Sequence, residues 1–541
     1  MDLKEHFAVW QQNVNKSRIC QHNLISNNEL VSKGVSIIAL QEPAIDDNGY
    51  TLASRDWMPI YPTPHRKTDN RTRAVTLIRA SIKTDSWKQL DFPSSDVTIV
   101  QFSGEWGKLT VVNVYNDCHS NETIRLLSAF HNRYRAETTQ ASSGVAHVLW
   151  VGDFNRHHPY WDDPSDTRLF TSDATEAAEK LIEAIADIGL ELALPSGIPT
   201  HKHNVTKLWS RLDQVFLSDH SENLLISCDT QPNQRGINTD HLPILTELNL
   251  KADIAAEVEI PNFRNVDWEE FHKELSVQIA KLPPPAPIVN QRQMDYSCDS
   301  LTKAIQRTIG TQVPTTSLSP KSKRWWTKEL TQLRREANKL GRQSYDRRRD
   351  LEHAIHEKHS AAAKNYRRVL EQTKRQHWRD WLEKADDPDI WTAHRLTAST
   401  WGDGGKARIP TLKHTVDEVE TLANMNLDKV HALAKGFFPT RPPADVTLAK
   451  SVYPPQCENA GDITTEQINA QFRKLKPYKA PGPDGIPNIM LTKSANLIVD
   501  RLLHVYKAML ERNLMYKPWK QSTTVVLRKP GKPRYDTPKA Y

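Results

Sequence analysis

Short apolar runs alternate with polar, turn-forming sequence along the first 250 residues. Five runs, at 35–40, 74–79, 109–115, 146–154 and 212–217, are bounded by Gly, Pro, Asn or Asp. Such runs predict the strands of a buried sheet. Residues 176–192 lie between the last two runs and predict a helix. This part of the chain is therefore predicted to be a layered α/β domain.

The pattern changes after residue 250. A proline cluster at 283–287 and a Pro, Ser and Thr stretch from Val313 to Pro320 predict a linker at 251–320 with one or two short helices. Residues 321–400 favour helix, and up to Lys384 they carry roughly twice as many Lys and Arg as acids. Arg347, Arg348 and Arg349 stand in succession there. The remaining residues, 401–541, form the last predicted segment.

The basic helical segment has two interpretations. It carries six aromatic residues among its charges: Trp325, Trp326, Tyr345, Tyr366, Trp378 and Trp381. In the first, its basic residues, with Arg347 and Arg348 among them, contact nucleic-acid phosphates while the aromatics stack on bases. In the second, the segment is a solvated helical pair whose tryptophans pack against the neighbouring domain.

Composition narrows the protein class. A chain of 541 residues exceeds one hydrophobic core, so two or three domains are expected. No apolar run approaches the roughly 18 residues of a membrane helix, and the first residues do not resemble a secretory signal. We therefore expect an intracellular protein without a membrane partner. The five cysteines lie far apart, which argues against a zinc site or a disulfide framework. The net charge of +7 favours polyanionic partners only mildly.

Six short polar segments lie at or near the ends of predicted strands. They are QNVNK at 12–16, LQEP at 40–43, NVYND at 113–117, GDFN at 152–155, SRLDQVF at 210–216 and TDHLPI at 239–244. Each alone has an ordinary structural explanation, such as a turn or a helix cap. Sites in open α/β layers cluster at strand ends, so the set together indicates one site. Its oxygen ligands, base and donors are the groups that metal-assisted phosphodiester hydrolysis needs.

This ordered set resembles the endonuclease/exonuclease/phosphatase superfamily, which includes abasic-site endonucleases and sphingomyelinase-like phosphodiesterases. The resemblance covers about residues 5–250 and implies a four-layer αββα sandwich over residues 1–250. It also implies Mg²⁺ or Mn²⁺ as the cofactor. Glu42 would be the principal metal ligand, with Asn13 and Asp240 beside it. Asp153 would orient or deprotonate the attacking water, assisted by Asn155, which would also contact the phosphate.

The resemblance assigns the remaining roles to phosphate contacts. His241 would donate a hydrogen bond to the scissile phosphate, with its ring oriented by Asp213. A carboxylate on one ring nitrogen fixes the tautomer and favours the imidazolium, which leaves the other nitrogen to face the phosphate. Tyr115 and Ser210 would add donors to the phosphate oxygens.

The stretch GDFNRHHPYWDD at 152–163 is similar to the LINE retrotransposon branch of this superfamily. His157, His158 and Trp161 in it either contact substrate DNA or pack the loop. The metal is not assigned to either histidine, because this chemistry prefers oxygen ligands.

Two segments near the end of the chain resemble the opening motifs of LINE reverse transcriptases. They are YKAPGPDGIPNIML at 478–491 and WKQSTTVVLRKPGKPRYDTPKAY at 519–541. The resemblance implies that 401–541 is the N-terminal fragment of a reverse transcriptase, in which Arg528, Lys529 and Lys532 approach template or nucleotide. The paired aspartates of the palm would lie further on, so no polymerase activity is expected.

The resemblance as a whole implies a Mg²⁺-dependent endonuclease that nicks chromosomal DNA for target-primed reverse transcription. Its partners would be double-stranded DNA and the element RNA, and it would be made in the cytoplasm and act in the nucleus. Two alternatives remain open. One is a cellular abasic-site endonuclease or phosphodiesterase of the same superfamily, and the other is a non-catalytic nucleic-acid-binding remnant.

Overall fold

The protein is described by a computed structural model. It describes residues 6–26, 28–52, 54, 56–65, 71–140, 145–254, 260–316, 325–384, 409–416, 419–438, 461–522, 524–529 and 535–541. The chain divides into two compact units. The first comprises Met1–Ala256, Pro320–Pro439 and Arg528–Tyr541, and the second comprises Glu257–Ser319 and Thr440–Leu527.

Two six-stranded sheets form the centre of the first unit. One has the order β13-β14-β1-β2-β4-β3 and the other β5-β6-β7-β8-β12-β9. In chain order the strands are β1 Phe7–Asn13, β2 Val35–Gln41, β3 Trp57–Ile60, β4 Ala74–Arg79, β5 Trp87–Leu90, β6 Val97–Gly104, β7 Gly107–Tyr115, β8 Ala146–Asp153, β9 Leu190–Leu192, β10 His201–Lys202, β11 Trp209–Ser210, β12 Asp213–Ser218, β13 Leu225–Thr230 and β14 Ile244–Leu248. Strands β10 and β11 form a separate short hairpin.

Alternation of side chains along the strands builds the layers. In β1, Phe7 and Val9 face the second sheet and pack in one cluster with Leu149 and Val151 of β8. The alternate residues Ala8 and Trp10 face outward into a cluster with the helices α1 Arg18–Ile25 and α2 Asn28–Ser32. On the other side, outward residues of the second sheet pack on α3 Glu122–Gln140 and α4 Ser172–Ile188. The four-layer αββα sandwich implied by the resemblance is confirmed.

The predicted strands agree with the observed ones to within two residues at each end, and 74–79 coincides with β4. The predicted helix at 176–192 is wrong at both ends. α4 begins at Ser172, where Thr171 accepts a hydrogen bond from the amide of Ala174. It ends at Ile188 because Gly189 adopts a left-handed φ of +73°, a common helix terminator. Leu190–Leu192 is therefore a strand.

A helical hairpin, residues 325–384, also belongs to the first unit. It consists of α7 Lys328–Asp346 and α8 Ile355–Glu383. Leu330 and Leu370 are buried in a cluster that includes Ile19 and Ile237 of the sandwich. The rings of Tyr345 and Trp209 also meet edge to face at 5.2 Å. The hairpin therefore packs directly on the sandwich.

The aromatic residues of the hairpin are mostly occupied by packing. Trp325 and Trp326 join its apolar cluster, and Tyr345 and Tyr366 are buried. Trp378 is 37% exposed and stacks on Trp381. The predicted role in base stacking is wrong for the buried pair, Tyr345 and Tyr366, because their rings contribute to the core.

The predicted linker at 251–320 contributes two well-formed helices to the second unit. These are α5 Trp268–Ala280 and α6 Gln291–Gln312. Phe271 and Leu301 pack in one cluster with Phe472 and Met490 of the later chain. The one or two helices predicted for this stretch are therefore present, and they are part of the packed core of the second unit. The strands β15 Ile260–Pro261 and β16 Thr315–Thr316 pair beside them.

The predicted segment 401–541 is divided between the two units. The first unit takes the strands β17 Leu412–Val416 and β18 Val419–Ala423 with the helix α9 Asn426–Phe437. The second unit takes the helices α10 Thr465–Lys474, α11 Asn488–Lys493 and α12 Ala495–Arg512. Arg528 lies in the first unit, with its guanidinium over the ring of Tyr535. Lys532 lies outside the described residues. None of the helices in the described part of the chain is both long enough and apolar enough to cross a membrane.

Gly152 lets β8 approach β7 closely. A Cβ at this position would lie 2.0 Å from the carbonyl oxygen of Val114. We predict that Gly152→Ala lowers the free energy of unfolding of the sandwich by about 2 kcal/mol or more, because the strands must separate. Scanning calorimetry of the full chain would show this as a lower Tm of one transition. Gly310→Ala in α6, where nothing lies within 4 Å, is the control. An unchanged Tm in Gly152→Ala would contradict the packing described.

Candidate active site

The strand ends of the two sheets meet at one rim of the sandwich. Asn13 pairs in register with Gln41 at the ends of β1 and β2. Asp153 pairs in register with Tyr115 of β7 and with Asp213 of β12. Asn13 joins the two sheets, since its Nδ2 donates to Oδ2 of Asp153 at 2.9 Å. Residues of five predicted polar segments are therefore brought together.

Buried polar bonds between the sheets lie beneath this rim. Gln11 Nε2 donates to the carbonyl oxygen of Gly152 at 2.9 Å. Gln41 Nε2 donates to Asn113 Oδ1 at 2.6 Å, and Asn113 Nδ2 donates to the carbonyl of Leu40 at 3.2 Å. Buried polar groups are stable only when they are paired, so these bonds fix the relative position of the two rims.

His241 occupies the buried centre of the site. Its Nδ1 lies 2.8 Å from Asp213 Oδ2, and its Nε2 lies 3.9 Å from Asp153 Oδ2. Burial alone would lower the pKa of His241, but the charges of Asp213, Asp153 and Asp240 raise it to about 10. The ring is therefore an imidazolium at neutral pH, with Nδ1 held by Asp213. The predicted pairing of His241 with Asp213 is present.

Asp153 lies at the end of β8 with both carboxylate oxygens engaged. Oδ2 accepts from Asn13, and Oδ1 accepts from the backbone amide of Asn155 at 3.1 Å. Burial raises the pKa of Asp153, and the nearby charge of Asp213 raises it further. Asn155 adopts a left-handed φ of +50°, and its Nδ2 donates to the carbonyl of Asn116 at 2.8 Å. The carboxylate and the amide are thus held by backbone contacts.

Glu42 follows β2 in a strained backbone conformation, with a φ of +44°. Its amide donates to the carbonyl of Arg73 and its carbonyl accepts from the amide of Lys16, both at 2.8 Å. Strain of this kind persists only where the surroundings enforce it, and it is concentrated at functional sites. The Glu42 carboxylate is ion-paired to Lys16 Nζ at 2.9 Å.

Tyr115 lies close enough to Glu42 and Asp153 for the charges of both to act on its phenol. Burial raises the pKa of its phenol, and the charges of Glu42 and Asp153 raise it further. Arg73 lies over the Tyr115 ring at 4.7 Å. The phenol is therefore a neutral donor at the edge of an acidic pocket, and the two carboxylates lie on the same side of the molecule as His241.

Asp240 and Ser210 lie on the other flank of His241. Asp240 accepts from Asn204 Nδ2 at 2.9 Å and from Asn15 Nδ2 at 3.3 Å, and its Oδ2 is 3.7 Å from His201 Nε2. Burial would raise the pKa of Asp240, but the contact with His201 and the charge of His241 hold it well below its usual range. Ser210 Oγ is 3.3 Å from His201 Nδ1.

The prediction that Trp161 contacts DNA is wrong. Its side chain is 0% exposed and packs against Phe216, while its Nε1 donates to the carbonyl of Arg156 at 3.1 Å. Loop packing, the other interpretation, accounts for it. His157 and His158 remain partly exposed around Asp162, so DNA contact by these two stays a prediction.

The sequence interpretation missed His201, Arg73 and Lys16. His201 lies in the two-residue strand β10 and its ring is 4.8 Å from that of His241. A strand this short gives no detectable periodicity. Lys16 was inside a quoted motif, but only the turn with a φ of +57° brings it back to Glu42. Arg73 precedes a predicted strand, and its contacts are all long-range.

The residues at the rim fit a hard divalent cation. Glu42, Asp240 and Asn13 offer carboxylate and amide oxygens, the ligand type that Mg²⁺ and Mn²⁺ prefer. Among the described residues, two clusters of acids and histidines are compact enough to share an ion, His201 with Asp240 and His241, and Asp153 with Asp213 and His241. In the second, Asp213 already holds His241 Nδ1 at 2.8 Å and Asp153 lies 3.9 Å from Nε2, so that cluster is a buried triad of charges.

Comparison with known proteins finds two similar groups, a protein family and a retrotransposon polymerase. Residues 109–245 match a family described as endonuclease-reverse transcriptase. The RNA-directed DNA polymerase from mobile element jockey of Drosophila funebris is 22% identical over 502 residues, covering 89% of this chain. Both matches support the resemblance to LINE-type retrotransposon polyproteins. The chain spans about half, 51%, of the length of the jockey protein.

Several solved structures resemble part of this chain. The endonuclease domain of TRAS1, a telomere-specific non-LTR retrotransposon, is 14% identical, with a TM-score of 0.34, over 45% of this chain and 99% of that domain. The AP endonuclease LMAP from Leishmania major is 13% identical, with a TM-score of 0.37, over 46% of this chain and 89% of that one. The fold assignment rests on the two sheets and four layers described above.

The ion pair of His241 with Asp213 can be tested by titration. In metal-free protein we predict that Asp213→Asn lowers the pKa of His241 from about 10 by roughly one to three units, because burial then acts with less opposing charge. NMR of ¹³C-labelled histidine measures this directly. Asp219→Asn, next to the exposed His220, is the matched control and leaves His241 unchanged. If His241 titrates identically in both variants, the pairing is wrong.

Proposed function

We propose that the sandwich is a divalent-metal-dependent DNA endonuclease that nicks target DNA for retrotransposon integration. The observation that carries the proposal is the buried charged triad of Asp213, His241 and Asp153 at the rim of the sandwich. The endonuclease-reverse transcriptase family match over 109–245 supports the reaction class. Action on chromosomal DNA in the nucleus is part of the same proposal.

The cation is proposed to be Mg²⁺, with Mn²⁺ able to replace it. Glu42 would be the principal ligand, and Asn13 and Asp240 would supply further oxygens. The cation would supply neutralisation of the charge that develops on the phosphate. Lys16, which pairs with Glu42 at 2.9 Å, places a positive charge beside this carboxylate.

The hydrogen bonds of the site suggest which side chain accepts a proton and which side chains donate one. Asp153 accepts the proton of the attacking water, since burial raises its pKa towards the working range of a base. Asn155 steadies it through its backbone amide. His241 keeps its proton on Nε2 and donates to a phosphate oxygen, because Asp213 holds Nδ1. Tyr115 remains neutral and donates a second hydrogen bond.

Ser210 acts on the phosphate through His201. Its Oγ contacts His201 Nδ1, and the His201 ring packs on that of His241. We therefore propose a positioning role for Ser210 in place of the direct phosphate contact implied by the resemblance. Its hydroxyl keeps the His201 ring turned so that Nε2 faces Asp240.

Nicking of supercoiled plasmid tests this function in the full chain. We predict that the parent relaxes plasmid with Mg²⁺ and loses this activity with EDTA. Asp153→Ala and His241→Ala lower the rate by about 10²- to 10⁴-fold, because each removes a proton-transfer or phosphate-binding group. Asp219→Ala and His220→Ala, from an exposed pair of the same two residue types, are matched controls and retain the parental rate.

The substrate range separates the alternatives. Cleavage confined to abasic duplexes or small phosphodiesters would favour a cellular repair enzyme or phosphodiesterase. Absence of cleavage on every substrate, from a folded parent that still binds DNA, would favour a non-catalytic remnant. Either result would contradict the proposed function.

A further inference from the structure

Charge is divided unevenly within the first unit. Residues 6–254 carry 23 Lys and Arg against 30 Asp and Glu, whereas the helical hairpin at 325–384 carries 16 against 9. The sandwich is therefore acidic by seven charges and the hairpin basic by seven. Duplex DNA is a dense polyanion whose binding depends on cationic contacts. The part of the chain that holds the candidate active site has an unfavourable charge for DNA, and the segment packed on it has the opposite charge.

The basic residues of α7 form one outward stripe. Arg335, Lys339 and Arg342 stand four and three residues apart, which places them on one face of the helix. All three are exposed. The opposite face is buried through Leu330 and Ala337. The apolar face fixes the helix to the sandwich and leaves the basic face in solvent.

α8 repeats this arrangement over a longer span. Lys364, Arg368, Arg375 and Arg379 are exposed and recur at spacings that keep them on one face. Tyr366 and Leu370 are buried on the opposite face.

Most of these charges are not neutralised within the protein. Arg342 pairs with Asp346, and Arg375 lies 4.0 Å from Glu371. The other five have no carboxylate partner in the described part of the chain: Arg335, Lys339, Lys364, Arg368 and Arg379. Exposed charges of this kind are available to an external polyanion.

The hairpin is fastened to the loops that carry the candidate site. Arg367 Nη1 donates to Asn238 Oδ1 at 2.8 Å, two residues before Asp240. Tyr345 donates its hydroxyl to the carbonyl of Pro199 at 3.2 Å, two residues before His201. The turn between α7 and α8 also lines a crevice of about 250 Å³. In this crevice Arg348 and Arg349 face the segment that contains Ser210. The basic surface therefore reaches the edge of the site.

We propose that the helical hairpin is the duplex-binding surface of the nuclease. The outer stripes of α7 and α8 hold backbone phosphates of DNA that flanks the cleaved bond, and the Arg347–Arg349 turn leads the strand to the rim. This inference rests on the proposed endonuclease function and names the element that attracts its substrate. Phosphate contacts carry no sequence information, so the hairpin supplies affinity and register.

Binding measured without a cation tests the hairpin separately from cleavage. The probe is a fluorescent duplex of about 30 base pairs, titrated with the full chain in EDTA over a range of salt concentrations. The variant combines Arg335→Gln, Lys339→Gln, Lys364→Gln and Arg368→Gln. The control replaces four exposed basic residues in other helices: Arg125→Gln, Lys180→Gln, Lys273→Gln and Arg307→Gln. Circular dichroism establishes that both remain folded.

Each lost phosphate contact reduces the magnitude of the slope of log affinity against log salt by about 0.9. The four substitutions should therefore reduce it by about 3.6, and the hairpin variant should bind at least ~10-fold more weakly at physiological salt. The control keeps the parental slope and affinity. Equal weakening in both, no change in the hairpin variant, or a parent that does not bind duplex overturns the proposal. If the hairpin variant loses affinity only for single-stranded RNA and keeps its affinity for the duplex, the proposal is also overturned. Failure of nicking with this binding difference intact would reject the nuclease function while leaving the hairpin as a DNA-binding surface.

Discussion

The hydrogen bonds that join the two sheets at one rim are the constraint on which the rest of the site depends. Asn13 of the first sheet contacts Asp153 of the second, and Gln11 and Gln41 make similar bonds deeper in the sandwich. The apolar core between the sheets is not directional, so it cannot fix their relative position to a fraction of an ångström. Buried hydrogen bonds between polar groups can fix this position, because a shift of either rim would leave those groups without partners.

This constraint explains why residues separated by more than two hundred positions form one pocket. Glu42 follows a strand of the first sheet. Asp153 is the last residue of β8 and Asp213 is the first residue of β12, both in the second sheet. His241 enters from the loop before β14 and is held by Asp213. Neither sheet alone contains a metal ligand, a base and a phosphate donor, so the candidate chemistry exists only while the rims are aligned.

Much of the sandwich could be predicted from sequence because its strands are short apolar runs between turn residues. The polar segments at their ends also identified Asn13, Glu42, Asp153, Asp213 and His241. Other features depend on contacts that no local pattern reveals. His201 lies in a two-residue strand, and the helices of 251–320 pack against Phe472 and Met490 of the later chain. Trp161 was ambiguous because a motif does not show which way a side chain points.

The charge pattern adds a second level of organisation. The acidic sandwich concentrates carboxylates where a cation is needed, while the packed hairpin supplies the opposite charge close to the same loops. Because the sandwich would bind the cation and the hairpin would attract the DNA, the pocket can remain acidic without excluding a polyanionic substrate. Because Arg367 and Tyr345 bind the loops leading to Asp240 and His201, the hairpin also steadies one flank of the site.

We propose that Glu42, Asn13 and Asp240 form one cation site. Mn²⁺ binding, followed by electron paramagnetic resonance, measures this directly. The full chain, Glu42→Gln and Glu105→Gln, which alters an exposed carboxylate in the turn between β6 and β7, are compared. We predict one site in the parent and in Glu105→Gln, and an affinity lowered by about 10-fold or more in Glu42→Gln because a charged oxygen ligand is lost. Equal Mn²⁺ affinity in all three proteins would contradict it.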